Sequence, residues 1–102
     1  TPLAGLTNLK SLYLSGNKIS DLTPLVSLTK LVELDLADNR IIDLTPLAGL
    51  TSLKRLFLTS NNITDLTPLK GLTGLTYLEL SDIPEDQKAM LKKALPNCKI
   101  HF

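Results

Sequence analysis

The tripeptide Thr-Pro-Leu occurs four times in 102 residues, at Thr1-Pro2-Leu3, Thr23-Pro24-Leu25, Thr45-Pro46-Leu47 and Thr67-Pro68-Leu69, always 22 residues apart. Leucine columns keep the same step: Leu9, Leu31, Leu53, Leu75; Leu12, Leu34, Leu56, Leu78; and Leu14, Leu36, Leu58, Leu80. Leu3 and Leu6 head two more. Asn17, Asn39 and Asn61, then Ile19, Ile41 and Ile63, then Asp21, Asp43 and Asp65 follow in phase. A globular core has no need of such regularity. A solenoid does, because each leucine stacks on its counterpart one coil away. The 25 leucines therefore define an architecture, which explains how a chain with only 4% aromatic residues builds a core.

Within one coil, Leu12 and Leu14 flank Tyr13 at the period of a half-buried strand. Thr23 before Pro24 is a helix-start signal: a hydroxyl to cap, then a residue with preset φ and no amide to satisfy. The return segment has room for only a turn or two, which favours a 3₁₀ or short helical turn.

The unit Leu-x-x-Leu-x-Leu-x-x-Asn-x-Ile, repeated through residue 82, resembles the leucine-rich repeat family in its 22-residue class. The Asp-Leu-Thr-Pro-Leu segment resembles bacterial internalin-type repeats in particular. The resemblance implies an α/β fold: a right-handed leucine-rich-repeat solenoid with a curved parallel sheet on the concave side and short return segments on the convex side. It also implies a bacterial secreted or cell-surface setting, although the sequence contains no signal peptide.

Residues 83–102 read as a C-terminal cap. The asparagine column breaks at Ile83, and no fifth Thr-Pro-Leu follows. Asp82 is placed to cap a helix over about 83–94, with Glu85 closing a capping box. Gln87, Met90, Leu91 and Ala94 share one face, while Lys88, Lys92 and Lys93 face outward and suit the negative end of the helix dipole. Leu95, Cys98 and Ile100 then restore the leucine frame, predicting a final strand over about 97–101. No equivalent cap precedes the first coil in this sequence. Further residues upstream, pairing with a second copy of the chain, and fraying each account for that.

Composition excludes several functions. With 11 Lys+Arg against 10 Asp+Glu there is no electrostatic case for nucleic acid or an anionic membrane as partner. No apolar run approaches the length of a membrane span. His101 and Cys98 are the sole members of their kinds, and three residues apart on a strand they point to opposite faces. No zinc spacing, phosphate loop or dinucleotide motif occurs. The reading is a non-enzyme with no cofactor, no metal and no catalytic residue.

Structural explanations compete for the conspicuous columns. A stacked asparagine has donors and an acceptor to serve the backbone of adjacent coils, which outweighs a ligand site. Each aspartate at 21, 43 and 65 precedes Leu-Thr-Pro and can accept the amide two residues on; stacked carboxylates also leave calcium open. Cys98 stands in for a core leucine. Gly5, Gly49, Gly71 and Gly74 punctuate the return segments, and Ile42, whose counterparts are Ser20 and Thr64, is exposed.

Information about partners lies between the strand leucines. One outward column reads Ser11, Glu33, Arg55, Tyr77 and the next Tyr13, Asp35, Phe57, Glu79. Lys10, Val32, Lys54, Thr76 flank one side and Ser15, Ala37, Thr59, Ser81 the other. Three of the four aromatics thus share one face with Arg55, the residue types that anchor protein interfaces. The expectation is a concave protein-binding face of about 800 Å², with Tyr13, Phe57, Tyr77 and Arg55 as anchors and Glu33, Asp35 and Glu79 setting charge preference. Aromatics are also good strand formers, so an inert face is the competing reading. Residues 1–21 and 45–65 differ only at Asn8/Ser52, Ser11/Arg55, Tyr13/Phe57, Ser15/Thr59, Gly16/Ser60, Lys18/Asn62 and Ser20/Thr64, as a consensus scaffold without its own ligand would. A regulatory subunit of an enzyme, resembling the leucine-rich phosphatase regulators, is a third reading.

Overall fold

The computed structural model describes residues 8–102. The Thr1-Pro2-Leu3 turn, Leu3, Leu6 and Gly5 lie outside the described residues. Five three-residue strands, β1 (Ser11–Tyr13), β2 (Glu33–Asp35), β3 (Arg55–Phe57), β4 (Tyr77–Glu79) and β5 (Lys99–His101), form one parallel sheet in chain order. The pairing register is the sequence step itself: Leu12 opposite Leu34, Leu34 opposite Leu56, Leu56 opposite Leu78. The step becomes a 22-residue turn of solenoid because the chain returns to the same place after each coil.

The ladder runs past the strands. The amides of Leu14, Leu36, Leu58 and Leu80 donate to the carbonyls of Asp35, Phe57, Glu79 and His101 at 2.7–2.9 Å. Behind the sheet lies a leucine core. Leu31, Leu34, Leu36, Leu53, Leu56 and Leu58 are no more than 1% exposed, and Leu28 and Leu50 are fully buried. In the first coil Leu9, Leu12, Leu14 and Ile19 pack against this core but are only half-buried.

Each of the three described Thr-Pro-Leu segments forms a 3₁₀ turn, at Thr23–Leu25, Thr45–Leu47 and Thr67–Leu69. Proline occupies the first turn as expected. The threonine does not cap it: the preceding leucine is the N-cap residue and no side-chain cap bond forms there. Instead the aspartate two residues before accepts the threonine amide at 2.9–3.0 Å. The hydroxyls of Thr45 and Thr67 also donate to the same carboxylate oxygens, at 2.6 Å. The threonine's oxygen is engaged as a donor and so is turned away from the helix amides it was expected to serve.

Gly16, Asp38, Ser60 and Asp82 keep the step of 22 and all have φ between +57° and +75°. Every coil makes a left-handed turn at this position, where only glycine is free of steric cost. That turn corrects the reading of Asp82. It is the fourth member of the turn column, not a helix cap. The helix, α1 (Glu85–Ala94), begins two residues later than 83, with Pro84 as its N-cap and no side-chain cap bond. Glu85 does not close a capping box; it pairs with Lys88 at 3.2 Å. The inner face is as expected, with Leu91 fully buried and Gln87, Met90 and Ala94 half-buried. Lys92 and Lys93 are exposed, while Lys88 is half-buried beside the Phe102 ring, 5.3 Å from its centroid. Gln87 supplies an acceptor for the Leu66 amide at 2.9 Å, joining the helix to the last full coil. Ile83, buried at 6% exposure, fills the next asparagine position. β5 is shorter than predicted, and Cys98 precedes it, half-buried against the core rather than enclosed by it.

Candidate binding face

The strand register lines up two outward columns across the sheet. The first reads Ser11, Glu33, Arg55, Tyr77, Lys99 and the second Tyr13, Asp35, Phe57, Glu79, His101. The sequence reading ends both columns at β4 and takes β5 only as a cap, so it leaves Lys99 and His101 out of them. Their signal was present: the Leu95–Cys98–Ile100 frame puts both in the outward columns.

The structure divides the predicted residues into two groups. In one, the Tyr13 hydroxyl donates to Glu33 Oε1, and Arg55 approaches Glu33 Oε2 at 3.8 Å. That hydrogen bond to Glu33 holds the Tyr13 phenol above its ordinary pKa. Tyr13 is 60% exposed. The other group is a strip of rings. Phe57 and Tyr77 lie 5.5 Å apart, and Tyr77 and His101 5.2 Å apart, tilted at 53° and 48°. These are favourable spacings for tilted ring pairs. The strip therefore crosses β3, β4 and β5 in a zigzag, from Phe57 in the second column to Tyr77 in the first and back to His101 in the second. The Tyr77 hydroxyl donates to Glu79 Oε1 at 2.9 Å, which raises its pKa, with burial adding to the effect. Arg55, Phe57, Thr76 and Tyr77 line an open hollow of about 310 Å³.

Asp35 differs from the others. Its carboxylate accepts the Ala37 amide at 3.1 Å, so it shapes the end of its own strand. Charge is distributed unevenly across the face. Lys10, Lys54, Arg55 and Lys99 lie at the strand starts, and Asp35 and Glu79 at the strand ends. Glu33 is the exception, and it is engaged by Tyr13 and Arg55.

The remaining columns are structural in geometry. Asn39 Nδ2 donates to the carbonyls of Leu14, Leu36 and Ala37 at 3.0–3.1 Å, and its Oδ1 accepts the Ile19 amide at 3.1 Å. Asn61 repeats the pattern one coil on, with Leu36, Leu58, Thr59 and Ile41. Each asparagine so ties two coils together. The threonine hydrogen bonds, side chain first and amide second, hold the Asp21, Asp43 and Asp65 carboxyls below their ordinary pKa. Burial raises the Cys98 thiol, which disfavours the thiolate a nucleophile requires. Among the described residues no three of His, Cys, Asp and Glu converge on a point that could hold a metal ion. None of the described helices is long and apolar enough to cross a membrane. Ile42 is 59% exposed, as expected.

A stacked parallel sheet, 3₁₀ returns and an asparagine ladder define a leucine-rich-repeat solenoid. The family pattern for leucine-rich repeats matches residues 7–49 and 51–87, and the chain belongs to that family. Among solved structures it is similar to a leucine-rich repeat protein of Leptospira interrogans, at 35% identity over 95% of this chain and a TM-score of 0.86. It is also similar to internalin C2 of Listeria monocytogenes, at 40% identity over 98% of this chain and a TM-score of 0.78. A further Listeria monocytogenes internalin matches at 33% identity over 90% of this chain, with a TM-score of 0.68. The chain spans 26%, 45% and 34% of those three proteins respectively. No curated protein sequence matches. Leucine-rich repeat proteins are typically interaction modules without catalysis.

Proposed function

We propose that this chain is a protein-binding module that presents its concave sheet as a rigid surface. One observation carries the reading: three of the chain's four aromatics gather with Arg55 in the outward strand columns, while the inward columns beside them keep leucine in all four coils. Arg55, Phe57 and Tyr77 project from strands paired on both sides and Tyr13 from the edge strand β1, so little backbone ordering is needed when a partner arrives. Phe57 and Tyr77 act as the anchor with Arg55 beside them, and Tyr13 with Glu33 forms a second contact point. Glu79 sets charge preference, and Asp35 contributes less because its carboxylate is engaged locally.

The test is affinity capture with the wild-type protein and with Tyr13, Phe57 and Tyr77 all changed to alanine, both shown to be folded by circular dichroism. The expected result is a protein retained by the wild type and lost from the variant. Identical capture by both would remove the concave face from the proposal and favour the near-identity of residues 1–21 and 45–65 as the mark of a scaffold.

A further inference from the structure

The hollow between β3 and β4 has a chemistry of its own. Phe57 and Tyr77 supply apolar walls and Arg55 a cation, while the Thr76 hydroxyl is held by the Lys54 carbonyl at 3.0 Å. At about 310 Å³ it is at the small end of ligand pockets, a size suited to one large side chain rather than to a cofactor. The Arg55 side chain is 63% exposed, and its ion pair with Glu33 is a single 3.8 Å approach. A guanidinium offers five donors and makes its strong contacts bidentate at about 2.7–2.9 Å. Among the described residues it makes no hydrogen bond through them, so its fork is unused. Lys54, next to Arg55 in the chain, and Lys99, register partner of Tyr77, are exposed and in no ion pair among the described residues. The three nearby carboxylates each accept a hydrogen bond: Glu33 from Tyr13, Glu79 from Tyr77, and Asp35, opposite Phe57, from the Ala37 amide.

From this we infer that the hollow receives a large apolar side chain of a protein partner whose neighbouring acidic residue pairs with Arg55 on the strand-start side. The inference rests on the concave face being a binding surface and adds the partner's chemistry. The apolar side chain gains from the Phe57 and Tyr77 rings. The carboxylate takes the bidentate contact that Glu33 leaves unmade, and Lys54 and Lys99 attract it over a longer range that salt screens. A basic residue at the same place would meet three cations. The acid therefore provides discrimination, and the ring contact provides much of the attraction.

The probe is a library of random peptides displayed on phage, selected on the wild-type protein and counter-selected on Arg55→Glu. Folding of Arg55→Glu is verified by circular dichroism, and its side-chain exposure makes the exchange tolerable. Enriched peptides are expected to carry Asp or Glu within two positions of Phe, Tyr, Leu or Met. A synthetic peptide of that kind should lose about tenfold or more in affinity when its acid becomes lysine. The lysine peptide should bind Arg55→Glu more tightly than it binds wild type. Peptides that need Phe57 and Tyr77 but show no acid preference would overturn this inference and leave the binding face standing. If no enriched peptide depends on Phe57 or Tyr77, the inference and the binding face both fall.

Discussion

Asn39 and Arg55 belong to columns equally regular in position and opposite in content. Asn17, Asn39 and Asn61 are one residue type, and the latter two make the same set of bonds in successive coils. Ser11, Glu33, Arg55, Tyr77 and Lys99 are five types in one register column. The difference teaches where the solenoid constrains its sequence. An inward position faces backbone that is identical in every coil, so one side chain is the answer each time. An outward position faces solvent and is free to vary.

The sharpest way to break the comparison is between neighbours in one strand. Leu56→Ala, at a fully buried site, should cost about 3–5 kcal/mol in urea unfolding. Arg55→Ala, next to it, should change stability by less than about 0.5 kcal/mol. Equal effects would mean that the outward columns are structural too.

A second contrast lies within the asparagine column. Asn39→Ala leaves buried carbonyls and an amide without partners and should cost about 2–4 kcal/mol. Asn17 is exposed and, among the described residues, bonds within its own coil, to Leu14 and Ser15, so Asn17→Ala should cost under about 1 kcal/mol. Matching losses would show that the ladder stabilises through local turns and not between coils.

Acid should act on the aspartate column. Hydrogen bonds from the threonines hold the Asp21, Asp43 and Asp65 carboxyls below the ordinary aspartate pKa in the folded protein. A depressed carboxyl contributes stability above its unfolded pKa and loses it as pH falls through the folded value. The melting temperature should therefore decline below about pH 4, and a variant with all three changed to asparagine should decline less steeply. An unaltered slope would remove these carboxyls as the cause.

The smallest expected effect has the opposite sign. Ser60→Gly at φ +58° should stabilise by up to about 1 kcal/mol, because glycine meets no steric cost there. The same change at Gly49's neighbour Ala48, whose φ is −60°, should destabilise slightly. Destabilisation at Ser60 would point to its amide bond with the Ser81 hydroxyl, 2.8 Å long, as a contact that glycine's freedom weakens.

Much of this was legible in the sequence. The step of 22 predicted the strand register residue by residue, because stacking requires each leucine to meet its own counterpart. The asparagine ladder and the aspartate turns followed from which backbone groups needed partners. The left-handed column at 16, 38, 60 and 82 was visible as a run of small, turn-forming residues, yet nothing in it stated that φ was positive until the coils were closed. Asp82 and Glu85 were misread for that reason: a capping pattern is local, and the turn that took Asp82 is a property of the coil.

The sequence alone determined which residues face inward, because a period of 22 with leucine at fixed places admits one way to stack. Only the tertiary structure decided how the outward residues meet. Tyr77 reaches diagonally to Phe57 and His101, Tyr13 is tied to Glu33, and Asp35 turns to its own strand end. Those choices depend on side-chain directions across strands far apart in the chain, and no repeat encodes them.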